Sequence, residues 1–523
     1  MTHTCAIASP HALATAAAGE AVRRGGNAID AALAAAATLT VVYPHNTTVG
    51  GDLIALVRTP DGRITCVNAS GPAPAGADPA AVAARHGDRM PVSGPDTITV
   101  PGAVAGWAAL HRAGARLDWA EHFTAATGYA RGVAVAPGLA VAIAEAAELI
   151  ADDAGMRAVF SPGGTLLAEG ETLRQEALGA TLTALAAHGP EALYGGRVGE
   201  LLAAGLRSLG SAVTLADLAS YQAELTAPLC RAFRGRQVFT SPPNTHGFLL
   251  LQALGAVAEH EDAADPLGAG AGRLARIFHR GIGDRGRHLG DPRFATVDVD
   301  ALLDPGYLRR LATEQAEPAT SGRAGGDTVA VVTADADGWA VSLIQSLFHS
   351  FGSGVLEPST GILLHNRGSF FSLDPASPNM LAPGKRPAHT LMPVMVTEGD
   401  RLAWVTGTMG GKAQPQILTQ VLLRLLAGAS PAEAVAAPRW VVGGLEVGQP
   451  EDTISVEADA GPRTVAALAT TGAPMIELPA GSEWVGHAHV VAMALDGRPV
   501  AESDPRSDGA AVVIHHPMEV RPR

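Results

Sequence analysis

The sequence predicts an α+β fold, with helices gathered early in the chain and strands gathered late. From about residue 104 to 210 it carries an Ala- and Leu-rich helical pattern broken by glycines. Beyond residue 327, short β-branched and apolar runs alternate with turn signals such as Asp335-Ala336-Asp337-Gly338. Between these regions helical and extended segments mix, without the regular strand–helix alternation of a parallel sheet. Of the 523 residues, 47% are apolar and 17% charged, enough to bury a large core and to exclude wholesale disorder.

Taken in order, Ser9-Pro10 reads as an N-cap with Pro in the first turn, opening a helix to Arg24. Gly25-Gly26-Asn27 stops it, and a second helix is expected from about Ile29. Val49-Gly50-Gly51 feeds a strand through Val57, Thr59-Pro60-Asp61-Gly62 is a hairpin turn, and Ile64 to Val67 is the returning strand. Residues 214–290 mix helix with a short strand near Gln237 to Thr240. The stretch from Glu314 to Gly326 is small, polar and aperiodic, which predicts a flexible loop. Strands are expected next at Thr328–Thr333, Trp339–Ile344, Gly361–Leu364, Pro393–Thr397, Leu402–Val405 and His489–Leu495. Helices are expected at Pro415–Ala427 and Pro431–Ala437.

Charge and composition narrow the function. The formal charge is −14, and Lys and Arg never cluster beyond a pair, which argues against nucleic acid or an anionic membrane as partner. Glycine and proline are dispersed without a period, so repeat architectures are excluded. Cys5, Cys66 and Cys230 are too few for a disulfide framework or a thiolate metal site. No metal or cofactor is expected. The start, MTHTCAIASP, has neither the basic nor the apolar region of a secretory signal. The longest apolar run, Ala31 to Val42, falls short of the roughly 20 residues of a membrane span. These features lead to the expectation of a soluble cytoplasmic protein.

One constellation suggests chemistry. Thr328 follows Gly325-Gly326-Asp327 and opens a strand. A threonine hydroxyl needs an adjacent base to become a nucleophile. If the peptide bond before Thr328 is cut, its own α-amine, titrating near ~8, becomes that base. Gly410-Gly411 after the Leu402–Val405 strand has the backbone N–H groups of an oxyanion hole. On pattern alone, a threonine opening a strand is ordinarily just a β-former.

The chain resembles the γ-glutamyltransferase family of N-terminal-nucleophile hydrolases over about residues 5 to 515. The resemblance is carried by AAAGEAVRRGGNAIDAALAAAATLTVVYP (16–44), VGGD (49–52), VPGAVAGW (100–107), LADLASYQAE (215–224) and DRGRHLGDP (284–292). Further motifs are GDTVAVVTADADGWAVSLIQS (326–346), FGSG (351–354), GILLHNRGSFF (361–371), PGKRPAHTLMP (383–393), GTMGG (407–411) and SDPRSDGAA (503–511). The resemblance implies a four-layer αββα sandwich made as one precursor. It implies self-cleavage between Asp327 and Thr328 into a large chain, 1–327, and a small chain, 328–523, that stay together as a heterodimer in one domain. By the same resemblance Thr328 is the nucleophile, Ser346 the assisting hydroxyl, and Gly410 and Gly411 the oxyanion pair.

The departures matter as much. Pro72 stands where glutathione-handling members carry the arginine for the glutamyl α-carboxylate. Arg367 and Phe370 stand where those members hold the α-amino group with Gln and Asp. His389-Thr390 replaces a Ser-Ser pair, Phe348 replaces the usual Asn, and Val329 replaces a frequent second threonine. An ammonium there has lost its carboxylate partner, which is costly in a buried site. Arg367 is suited to a substrate carboxylate by bidentate contact, or else ties down its own turn. Lys412 either meets a carboxylate or is solvated at a helix start. His389 is a proton shuttle, a substrate contact or a hydrogen-bonding pocket residue; His246 reads as a loop residue. His487 and His489 match no metal motif. The pattern leans toward a branch of the family with oxamate amidohydrolases and the oxalyl-removing enzymes of alkylproline biosynthesis, a specialised (antibiotic) metabolism. The expected substrate is a small molecule with a carboxylate beside the cleaved amide or oxalyl C–C bond. The alternatives are ordinary γ-glutamyl transfer or glutathione hydrolysis, and an unprocessed, non-enzymatic ligand-binding relative.

Overall fold

A computed structural model describes residues 2–311, 313, 326–445, 449–450, 452–494 and 497–517. Two antiparallel sheets lie face to face. The first has seven strands in the order Ala510–Pro517, Thr2–Ser9, Asp327–Asp335, Ala340–Phe348, Asp52–Arg58, Ile64–Ala69 and Glu224–Thr226. The second has six, in the order Pro499–Ser503, Ala488–Met493, Arg401–Thr408, Val394–Glu398, Arg236–Thr240 and Leu229–Phe233.

Side-chain alternation explains the stacking. On the strand Asp327–Asp335, Ala330 and Val332 face the second sheet and join Ile54, Ile344, Met395, Val405 and Val491 in the layer between the sheets. Val329 and Val331 face the other way, into a core shared with helices Ala12–Arg23, Ala28–Val42 and Ala103–Gly114. The second sheet is covered outside by helices Phe248–Glu259, Ala271–His288 and Gln414–Leu426. The result is helix, sheet, sheet, helix. Strands buried on both faces read as continuous apolar runs, which is why Thr328–Val332 stood out in the sequence.

The helix Ala28–Val42 is buried along its whole length. Its capping box, Asn27 with Asp30, satisfies the first backbone N–H groups without solvent. The apolar run Ala31–Val42 is therefore a central packed helix, and among the described residues no helix is long and apolar enough to cross a membrane.

The structure corrects the start of the chain. Ser9 ends a strand, Thr2–Ser9, and the helix begins at Ala12 with His11 as its cap, the Nδ1 accepting from the Leu13 N–H at 3.2 Å. The sequence reading missed this strand because residues 2–9 gain their partners only from distant segments, 327–335 and 510–517. The strands Glu224–Thr226 and Leu229–Phe233 were likewise not separated from their surroundings. The loop expected over Glu314–Gly326 lies, except for Gly326, outside the described residues.

Gly71, just after the strand Ile64–Ala69, brings the chain against residues 99–100. A Cβ there would lie 1.5 Å from the Val100 carbonyl oxygen, whereas one at Gly76 meets nothing within 4 Å. Gly71→Ala is expected to destabilise the protein by about 3 kcal/mol and Gly76→Ala by less than about 0.5 kcal/mol, read from urea midpoints.

Candidate active site

Thr328 is the second residue of the strand Asp327–Asp335 and is fully buried. Its neighbour Ala340–Phe348 pairs Gln345 with Val329 and then Phe348 with Asp327, so two residues on that strand oppose Thr328 alone. This bulge turns Ser346 toward the start of the partner strand. Thr328 Oγ1 donates to Ser346 Oγ at 3.0 Å, and Ser346 Oγ donates to the Asp327 carbonyl oxygen at 2.6 Å. The Phe348 N–H also donates to Ser346 Oγ, at 2.7 Å. One hydroxyl thus bridges the threonine hydroxyl and the carbonyl immediately before it.

The glycine pair closes on the same point. A Cβ at Gly326 would lie 3.0 Å from the Gly411 Cα and 3.0 Å from the Phe348 carbonyl oxygen, so three backbone segments meet here. Gly410 and Gly411 have φ of 136° and 50°, conformations that favour glycine. They lead into a 3-10 turn, Gly411–Ala413, and then the helix Gln414–Leu426, whose first N–H groups lack helical acceptors.

Arg367 and Phe370 bound a 3-10 turn, Arg367–Phe370, beside this point. The Arg367 guanidinium is fully buried, with its Cζ 4.0 Å from the centre of the Phe348 ring. Nη1 donates to Thr390 Oγ1 at 3.1 Å, while Nε and Nη2 have no hydrogen-bond partner. Burial lowers its pKa to about 9, partly countered by the Asp52 carboxylate. A buried arginine with unused donors is a site prepared for an anion. Phe348 stacks on Phe370 with ring centres 5.4 Å apart, and Lys412 Nζ lies 4.9 Å from the Phe370 ring centre. Phe348 holds φ at 81°, a strained conformation for an aromatic residue. Lys412 is 7% exposed, which corrects the reading of it as a solvated side chain.

His389 is also buried, and both of its ring nitrogens are engaged. Leu391 N–H donates to Nδ1 at 3.3 Å, so the ring proton sits on Nε2 and is donated to Asp52 Oδ2 at 3.0 Å. Such a ring is a prop, and the proton-shuttle reading of it is set aside. Asp52 is the residue that sequence reasoning quoted without a role. It pairs with Ser346 across the sheet, lies 3.3 Å from His365 Nδ1, and accepts the Gly71 N–H at 3.1 Å. His365 and His389 hold its carboxyl well below the usual range despite burial. The available signal was a carboxylate inside the apolar strand run Asp52–Val57, where an ionisable group needs partners. His246 lies in the loop between the strand Arg236–Thr240 and the helix Phe248–Glu259, as expected; it is fully buried there, and its backbone N–H donates to the His389 carbonyl at 3.0 Å. His487 follows Gly486, whose Cα lies 3.8 Å from a Cβ built on Gly410. Among the described residues no cluster of His, Cys, Asp and Glu is arranged to hold a metal.

Two stacked antiparallel sheets between helices, with a threonine opening a central strand, define an N-terminal-nucleophile hydrolase fold. Residues 14–514 match the γ-glutamyltranspeptidase family profile, and the chain belongs to that family of enzymes. It is 37% identical to the oxamate amidohydrolase proenzyme of Klebsiella pneumoniae, over 98% of each chain. It is 36% identical to a glutathione hydrolase-like proenzyme of Bacillus subtilis, over 97% of this chain and 98% of that one. The crystal structure of a cephalosporin acylase from Bacillus halodurans superposes with a TM-score of 0.88 at 31% identity, over 98% of this chain and 96% of that one.

Burial shifts several imidazoles of this region down from 6.5: His45, His389 and His489 to about 3, His11 and His487 to about 4. In the unfolded chain they protonate near 6.5. Between these values the unfolded state binds the extra protons, so their contribution is complete above about 6.5 and is lost as the pH falls. Unfolding free energy measured by urea titration is expected to drop between about pH 7 and about pH 5, by about 1–2 kcal/mol per buried imidazole.

Proposed function

We propose that the chain is a self-processing threonine hydrolase that acts on a carbonyl next to a carboxylate. The observation that carries this reading is the Ser346 hydroxyl, shared between Thr328 Oγ1 and the Asp327 carbonyl oxygen. In the precursor, Thr328 Oγ1 attacks the Asp327 carbonyl carbon, and the hydrogen bond from Ser346 polarises the carbonyl. The Asp327–Thr328 C–N bond breaks as an ester forms. Water then hydrolyses the ester, leaving the Asp327 carboxylate and a free Thr328 α-amine. Residues 2–9 and 52–58 belong to one product, 328–335 and 340–348 to the other. All four segments are strands of one sheet, so the two chains stay paired.

In the mature enzyme the α-amine takes the Thr328 hydroxyl proton as Oγ1 attacks the substrate carbonyl, and gives it to the leaving group. The N–H groups of Gly410 and Gly411 receive the oxyanion, and water releases the acyl group. Arg367 receives the substrate carboxylate through its two unused donors. A γ-glutamyl group fits this pocket poorly. Its ammonium would approach Arg367 and the Phe348–Phe370 stack, where glutathione-handling members are expected to offer a carboxylate. The oxamate amidohydrolase name of a 37%-identical relative supports a small acyl group such as oxalyl, released by C–N cleavage; cleavage of an oxalyl C–C bond is the second reading. Specialised metabolism of the alkylproline type is the setting we favour.

Intact-mass spectra of wild type and Thr328→Ala test the first step. Two chains that break between Asp327 and Thr328 are expected in wild type, and one uncut chain in the variant; an uncut wild type after long incubation overturns the proposal. For the second step, mature enzyme is offered glutathione, oxamate and an oxalyl ketone. Glutathione is expected to be the poorest substrate, and Arg367→Met to lower kcat/KM on the best one by about 100-fold. Fastest turnover of glutathione would refute the pocket assignment.

A further inference from the structure

A second wall lies near the cut site, within the field of Asp327. Tyr43 and His45 follow the helix Ala28–Val42, their ring centres 4.2 Å apart, and His11 packs edge-on against Tyr43 at 5.9 Å. This wall touches the strand that carries Ser346 and the turn after it: the carbonyls of Asn46 and His45 accept the Leu347 and Phe351 N–H groups at 3.0 and 2.8 Å. It also reaches the residue just before the glycine pair, since the His487 carbonyl accepts the Met409 N–H at 3.0 Å. The Tyr43 hydroxyl lies in the field of Asp508, Glu483 and Asp327, the residue before the nucleophile. A Cβ at Gly138 would lie 3.5 Å from that hydroxyl and 2.8 Å from Asp508 Oδ2, so both groups look onto the surface of one glycine.

Two features make this wall a binding surface rather than packing. The first is buried polar atoms with nothing to bond. His487 is 1% exposed and neither ring nitrogen has a hydrogen-bond partner; its Nε2 points at Glu483 from 3.8 Å. His45 Nδ1 is equally unmatched. Such groups are costly unless a partner arrives. The second is the sign of the charge. Glu483 lies in the fields of Asp508 and exposed Glu145, Asp508 lies in that of Glu169, and among the described residues neither Glu483 nor Asp508 is paired with Lys or Arg. Their mutual repulsion is relieved by a cation. Arg367 and Lys412, by contrast, lie against the Phe348–Phe370 stack that follows Ser346.

We propose that the surface formed by Tyr43, His45, His487, Glu483 and Asp508 receives the leaving group of the substrate and selects one that carries an amine. The substrate is then an amide whose acyl half is anionic and whose leaving half is cationic. This rests on Thr328 as the nucleophile. In the step, the Thr328 Oγ1–acyl bond forms and the amide C–N bond breaks. The departing nitrogen takes the proton held by the Thr328 α-amine, while the ammonium further along the leaving group stays at Glu483 and Asp508.

The N-aminopropyl, N-butyl and N-carboxypropyl amides of oxalate share one acyl group and differ only in the charge of the leaving half. Mature wild type, Glu483→Gln, Asp508→Asn and the double variant are compared on all three by kcat/KM at low ionic strength. Wild type is expected to favour the aminopropyl over the carboxypropyl amide by about tenfold, each single variant to cut that ratio about threefold, and the double variant to abolish it. A ratio near one in wild type, or one unchanged in the variants, overturns the inference. Chain masses show separately whether the Thr328 reading has failed. Should none of the amides turn over, calorimetric binding of diaminopropane decides: binding to wild type that the double variant loses upholds the surface, and absent or equal binding refutes it.

Discussion

Everything in this molecule hangs on a strand that is buried on both faces and carries Thr328 as its second residue. Asp327–Asp335 lies inside the seven-stranded sheet, between Thr2–Ser9 and Ala340–Phe348, with one face on the helices and the other on the second sheet. Burial of that kind holds the backbone of Thr328 to the pairing of its neighbours, so its hydroxyl has little freedom of its own. The bulge opposite Thr328 is where that regularity is broken, and it places Ser346 against both the threonine hydroxyl and the preceding carbonyl. Preorganisation here is a property of the sheet, paid in fold stability rather than in loop ordering.

The electrostatics around that point follow from the same burial. In a low-dielectric interior each ionised group must have a partner or await one. Asp52 has partners in His389, His365 and the Gly71 N–H, and so stands as a structural anion beneath Ser346. Arg367 has one acceptor for its five N–H donors, in addition to the Phe348 ring. The difference separates two buried charged residues: the first is matched within the fold, and the second keeps unused donors. Elsewhere the same logic explains a purely structural network. Arg439 and Arg506 are held by Asp504 and Glu457, which ties the motif 503–511 to the second sheet's helical cover.

Legibility in the sequence tracked whether a signal was local. Helix Ala28–Val42 announced itself through Gly-Gly-Asn and a long apolar run, because caps and periodicity are short-range. The hairpin at Thr59–Gly62 did so through its turn residues. Strand Thr2–Ser9 did not, since nothing in THTCAIAS shows that its partners lie more than 300 residues away. His389 shows the same limit at the site. A histidine in the chain has three or four possible uses, and only the Leu391 N–H and Asp52 on either side of its ring choose among them.

By itself, the order and spacing of motifs determined the family, the αββα class and the identity of Thr328, Ser346, Gly410, Gly411 and Arg367 as the residues to examine. Those are properties of the covalent chain: which residue types stand where, and which turns they permit. The tertiary structure decided what contacts what. It buried Lys412, fixed the tautomer of His389, paired Asp52 with Ser346 across the sheet, and brought Tyr43 and His45 together within the field of Asp327. The physical reason is that hydrogen-bond partners, desolvation and fields act through space over a few ångströms, and the chain brings those groups together only when the two sheets close.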